Sequence, residues 1–167
     1  NNKIKDRVIA YNNGFENDYA ELKLSSTLDS VNHVATKDDL TTINVLVTSL
    51  DKLLGDKVPV LIKIDVEGFE TEVINGSKAT LENKNLKAII IELNNSGERY
   101  GYKDQDIHQK LLQNGFIPFN YDPKMKKLTR LTSYGTHNTI YLRDLPFINS
   151  RIESSRRITL GRDKTLI

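Results

Sequence analysis

Between Pro59 and Gly76 the chain reads PVLIKIDVEGFETEVING, and no other stretch limits the fold so tightly. It opens on a short apolar run, Val60-Leu61-Ile62-Lys63-Ile64, which reads as a buried strand. Two carboxylates follow, Asp65 and Glu67, and then Gly68. Past the glycine the apolar spacing changes: Phe69, Val73, Ile74 and Leu81 recur at four and at seven to eight residues, the period of a helix with one buried face. A strand that passes through an acidic turn into a helix places Asp65 and Glu67 at its carboxyl end, the edge where open α/β sheets bind ligands. Carboxylates ahead of a helix N-terminus are also favoured electrostatically. A plain helix cap is the competing account of Asp65; Glu67, Gly68 and Glu70 beside it favour a site.

A second strand repeats the arrangement. Ala88-Ile89-Ile90-Ile91 is uninterruptedly apolar, as expected of a strand covered on both faces, and Glu92 stands near its carboxyl end as Asp65 does on the first. If the two run parallel, their acids share one edge of the sheet. Upstream, Val8-Ile9-Ala10-Tyr11 reads as a strand closed by Asn12-Asn13-Gly14. Tyr19 follows, and Leu22 and Leu24 alternate as in a half-exposed antiparallel strand. Residues 25 to 42 read as a long loop or weak hairpin that carries Asn32-His33-Val34. Ile43, Val45 and Val47 make a strand, and Ser49 caps a short helix that ends at Gly55. Downstream, Asp104 is expected to cap a helix with Ile107, Leu111 and Leu112 inward. Phe116–Tyr121 and Leu128–Leu131 read as strands about an Asp122-Pro123-Lys124 turn, and Asn138–Arg143 as the last strong strand. The tail from Asp144 has scattered charge and weak alternation at Ile158 and Leu160. The order implies a pair of βα units followed by strands that end antiparallel.

Composition narrows the function. The net charge is +2, from 24 basic and 22 acidic residues. The charges are interspersed, and Lys124-Met125-Lys126-Lys127 sits at an expected hairpin tip, so no nucleic-acid surface is expected. The absence of cysteine removes disulfides, thiolate nucleophiles and Cys-ligated zinc. Of the three histidines, His33, His108 and His137, none lies within metal-ligand spacing of another. His33 is a candidate base because its ordinary pKa is near neutrality; His108 is expected at the surface and His137 in a turn. No run is long enough to span a bilayer and no signal peptide opens the chain. A cytoplasmic protein with no membrane partner is therefore expected. The chain opens on Asn1 and its single methionine is Met125, so it is expected to be processed, trimmed or part of a longer protein.

IKIDVEGFETEVINGSKATL, followed by AIIIEL and NTIYLRD and preceded by DRVIAYNNGF, SVNHV and VTSLDKLL, resembles the FkbM-type family of S-adenosylmethionine-dependent methyltransferases. The likeness covers nearly all of the chain. It implies a partial class I (Rossmann-like) fold: a mostly parallel sheet with an antiparallel last strand and helices on both faces. Residues 62–65 would then belong to the fourth strand, 88–93 to the fifth and 138–142 to the seventh. The Gly-rich cofactor loop and the ribose-binding acid of such enzymes have no counterpart here. Residues 1–167 are thus expected to be the C-terminal portion of one methyltransferase domain without its first two strands, with 144–167 as a C-terminal extension.

The resemblance implies S-adenosyl-L-methionine as cofactor and O-methylation of a small-molecule or carbohydrate acceptor. Asp65, beside the expected methyl donor, is the candidate for substrate alignment or proton acceptance and for contact with the cofactor. Glu67 comes next, then His33; Glu92 lines the cleft or serves as a hydrogen-bonding support. Arg99, Tyr100 and Tyr102 either shape an acceptor pocket or pack at its rim. Two other readings stay open. Asp65, Glu67 and Glu92 together suit Mg²⁺ for phosphoryl or glycosyl transfer, and the chain could be a non-catalytic remnant that serves as an interaction module.

Overall fold

The computed structural model describes residues 5–18, 20–26, 33–135 and 137–156, and the backbone of 159–160 and 165–166. Tyr19, Asn32 and Ile158 lie outside the described residues. The first strands form a small sheet. β1 (Gly14–Phe15) and β2 (Ala20–Ser25) flank β3 (Thr42–Thr48), parallel and antiparallel respectively. Leu22, Leu24, Val45 and Val47 alternate with exposed residues, so this sheet has one inner face. Val8–Tyr11 is not a strand: Val8, Ile9 and Tyr11 are each more than half exposed. An extended segment holds only where a neighbour takes its backbone hydrogen bonds, and none does so here among the described residues.

Ser49 accepts from the Lys52 N–H and caps α1 (Leu50–Leu54), which Gly55 ends at φ 55°. β4 (Leu61–Ile64) follows. The helix expected from the Phe69–Leu81 spacing is broken into α2 (Glu70–Asn75) and α3 (Lys78–Glu82). The break falls at Gly76, where a Cβ would lie 2.4 Å from the Glu16 carbonyl oxygen. Asp51 of α1 supplies the missing cap, accepting from the Ala79 and Thr80 N–H groups at 2.8 and 2.9 Å.

β5 (Ala88–Glu92) pairs parallel with β4. After α4 (Asp104–Gln113), β6 (Ile117–Asp122) and β7 (Lys127–Arg130) form a hairpin. β8 (Asn138–Leu142) then inserts between β5 and β6, antiparallel to both. The order is β4-β5-β8-β6-β7. The expected mostly parallel sheet is thereby corrected. β4, β5 and β6 run in one sense, but β8 separates β5 from β6, so β4–β5 is the sole parallel neighbour pair of this mixed sheet. β4 has no partner on its other side among the described residues.

Helices do lie on both faces. Val73, Ile74, Leu81, Ile107 and Leu111 pack on Ile64, Ile89, Ile91 and Tyr141 of one face. On the other, α5 (Leu145–Ser154) sets Leu145 and Ile148 against Ala88, Phe119 and Leu142. Each fully buried aliphatic contributes about 1.5–3 kcal/mol. A short antiparallel pair, β9 (Thr159–Leu160) and β10 (Thr165–Leu166), follows.

Three expectations on α4 are corrected. Its inward residues are Asp104, Ile107, His108 and Leu111, whereas Leu112 is 37% exposed. His108 is therefore buried, with Nδ1 2.7 Å from the Tyr141 hydroxyl. Asp104 is the first helical residue and not the cap; its carboxylate accepts from the Asn95 N–H at 2.9 Å.

Candidate functional site

The β4–β5 register pairs Ile64 with Ile91. One residue further, Asp65 stands beside Glu92. Asp65, Glu67 and Glu92 bring one oxygen each within 4.8 Å of one another, so the two acid-tipped strands share an edge. They face a cleft of about 600 Å³ whose other wall is the inner face of the small sheet: Phe15, Leu22, Leu24, Val45 and Val47, with Val34 beside them. His33 and Asn138 also line it. The cleft thus collects all three sequence-predicted site residues, Asp65, Glu67 and His33, together with Glu92.

The turn that presents the acids is tightly built. Glu67 and Gly68 have φ of 51° and 103°, and a Cβ on Gly68 would lie 2.7 Å from the Ser96 carbonyl oxygen. Only glycine meets both conditions. Gly68→Ala should cost about 3 kcal/mol, measurable as a lowered urea midpoint with an unchanged slope.

The carboxyls divide in character. A hydrogen bond from Lys63, opposed by partial burial, holds Asp65 below the usual carboxylate range. Burial, followed by the charge of Asp65 and its hydrogen bond, pushes Glu92 up; Glu67 adds to this. Two neighbouring acids pushed apart in this way suit one to accept a proton while the other holds one. The three oxygens are also close enough to hold a divalent cation, and exposed acidic edges commonly have this spacing without one.

His33 is held at both ends. Its backbone N–H donates to Ser25 Oγ at 3.0 Å, and its Nε2 lies 3.3 Å from Asp39. Asp39 in turn accepts from the Thr36 N–H and hydroxyl at 2.7 and 2.9 Å, which lowers its pKa. Asp39 was not legible as a partner; the Thr36-x-x-Asp39 spacing is the signal that marks it. Tyr100 and Tyr102 pack edge-on against Phe69, at ring-centroid separations of 5.3 and 6.1 Å. The Tyr100 hydroxyl donates to the Val34 carbonyl at 2.6 Å, and Arg99 donates to Ser96. These three residues brace the cleft from outside its lining. His137 precedes β8 and contributes to the electrostatics of Glu92.

Glu70, which the sequence placed only near the site, is buried in the first turn of α2 and accepts from the Val66 N–H at 3.1 Å. Burial raises its pKa from the ordinary 4.5 against the pull of backbone N–H groups. A carboxyl raised on folding stabilises fully below its unfolded pKa, and that contribution is lost as pH rises through the folded value. Glu70→Gln lacks this loss. In urea titrations from about pH 4 to 8, the stability of the variant relative to wild type should climb above pH 4.5 and then level off.

The family model for the methyltransferase FkbM domain matches residues 1–118. The chain belongs to the FkbM methyltransferase family. The matched residues of this FkbM methyltransferase domain include His33, Asp65, Glu67 and Glu92. No curated protein and no solved structure matches the chain. No helix among the described residues is long and apolar enough to cross a membrane.

The donor set fits the methyl donor that such a family implies. Carboxylates suit a sulfonium cation and ribose hydroxyls, and the aliphatic wall with Phe15 suits an adenine or another flat apolar group.

Proposed function

We infer that this FkbM domain serves S-adenosyl-L-methionine-dependent O-methylation of a hydroxyl on a small metabolite or sugar. The convergence of Asp65, Glu67 and Glu92 at the carboxyl ends of β4 and β5, opposite an apolar wall, carries this reading. When bound, the cofactor supplies an electrophilic methyl group. The task left to the protein is to align acceptor oxygen with that methyl, largely a matter of positioning. Asp65, the carboxylate held ionised, aligns the acceptor hydroxyl and takes its proton. Glu67 orients the same group, and Glu92 supports Asp65 by hydrogen bond. His33, steadied by Asp39, stands across the cleft as a second proton acceptor. The fold belongs in this reading to the class I architecture, with the cofactor loop and first strands contributed from outside this chain. That β4 has no partner on its outer side among the described residues is consistent with this.

A second reading has one observation behind it. The spacing of the three carboxylate oxygens also suits Mg²⁺ in a phosphoryl or glycosyl transferase. Calorimetry on the whole protein that carries this domain, with its cofactor loop present, separates the two. Saturable binding of S-adenosyl-L-methionine, tighter than that of the neutral S-adenosylhomocysteine, supports methyl transfer. Heat with Mg²⁺ alone favours the second reading, and no heat with any of them leaves a non-catalytic module.

A further inference from the structure

Behind the acidic edge two more carboxylates are buried, and neither lines the cleft. Glu70 is 4% and Asp104 8% exposed. A carboxylate taken out of water needs hydrogen-bond donors, and here turn backbone supplies them. Glu70 Oε1 accepts from the Val66 N–H at 3.1 Å, and the N–H groups of Gly68 and Glu70 itself turn to the same carboxylate. Asp104 Oδ2 accepts from the Asn95 N–H at 2.9 Å. The first of these turns carries Asp65 and Glu67; the second follows Glu92.

The two turns also press on each other. A Cβ on Gly68 would strike the Ser96 carbonyl oxygen, and one on Gly97 would lie 3.3 Å from the Gly68 carbonyl oxygen. Glu67, Gly68 and Asn95 all sit at positive φ, 51°, 103° and 65°. Such conformations persist only where the surroundings impose them. Glu70 holds the first turn and Asp104 the second, each from its buried side.

We propose that Glu70 and Asp104 are positioning residues, each fixing one of the two turns after β4 and β5, so that the contact between those turns brings Asp65, Glu67 and Glu92 together. The consequence for ligand binding rests on the methyl-transfer reading; the geometric claim does not.

The test uses Glu70→Gln and Asp104→Asn, each close in shape to the residue it replaces, so that folding is retained. Crystal structures of both variants should show the Asp65–Glu92 oxygen separation beyond the 4.8 Å that holds in the wild type. Unchanged separations in both variants overturn the proposal. Calorimetry with S-adenosyl-L-methionine and S-adenosylhomocysteine on the whole protein that carries this domain supplies the second measurement. Glu70→Gln should lower the preference for the charged ligand about tenfold, as loss of a supporting partner does at other sites. Added to Asp65→Asn it should lower the preference no further, because it acts through the acids. Full additivity of the two substitutions overturns the proposal, since a merely structural role gives no such coupling. If the wild type binds neither ligand, the methyl-transfer reading fails, and the crystal structures alone decide the positioning claim.

Discussion

Asp65→Asn should lower methyl transfer at least about 10²-fold, the lower end of what a positioned proton acceptor contributes. The measurement is release of S-adenosylhomocysteine by the whole protein that carries this domain, with a panel of hydroxylated acceptors. The same substitution should leave stability within about 1 kcal/mol, because the Lys63–Asp65 pair is 51% and 40% exposed and pairs of that kind contribute little. The asparagine keeps the size and one carbonyl acceptor. It loses the charge, and with it the ability to take a proton. Turnover at the wild-type level removes Asp65 from the chemistry and moves the role across the cleft to His33.

Arg143→Met should destabilise the fold by about 3–5 kcal/mol. The guanidinium is 7% exposed. It donates to the carbonyls of Leu86, at 2.6 Å, Leu81, at 2.9 Å, and Asn114, at 3.1 Å, and also to that of Asn83. It also lies over the Phe116 ring, 4.3 Å from the centroid. One side chain thus closes the ends of α3 and α4 and the approach to β5. Methionine fills the space but removes the guanidinium donor from all four carbonyls, of which that of Asn83 keeps the Leu86 N–H, in a region closed to water. Thermal unfolding should fall by roughly 10 °C for a chain of this size. Arg143→Lys should land between the two, since one ammonium cannot reach four carbonyls in a planar fork. A midpoint within 2 °C of wild type, about 1 kcal/mol or less, would show that the four bonds are replaceable.

What the sequence disclosed, it disclosed locally. The Ser49 cap, the Gly55 stop and the acids at the end of each central strand are written in neighbouring residues, and the structure has them in place. The buried strand expected over Val60–Ile64 is present as Leu61–Ile64, but Val60 and Leu61 are exposed, because β4 has no partner on its outer side among the described residues. The failures share a cause. Gly76 breaks the expected long helix because it packs on the carbonyl of Glu16, sixty residues away in sequence. Val8–Tyr11 has the composition of a strand but no neighbour to pair with among the described residues. His108 was misplaced by the choice of helix face. Counting from Ile107 through Leu112 hides the i, i+3, i+4, i+7 stripe that starts at Asp104. α5 was passed over although Asp144 caps it and Pro146 stands in its first turn, the usual marks of a helix start. At the site, the acids were legible and the apolar wall opposite them was not, because that wall comes from a sheet more than a dozen residues upstream. The support of Glu70 and Asp104 was hidden for the same reason: burial is a property of the assembled molecule.

The insertion of β8 between β5 and β6 has a consequence for how the molecule is made. Its place in the sheet is central, yet its residues are synthesised after both neighbours. While the chain leaves the ribosome, the β6–β7 hairpin has no strand of this sheet to pair with until β8 follows, and Ile140, Tyr141 and Leu142 then join it to β5. The sheet therefore closes in one late event, and until then the flanks of β5 and β6 stay open to unwanted pairing.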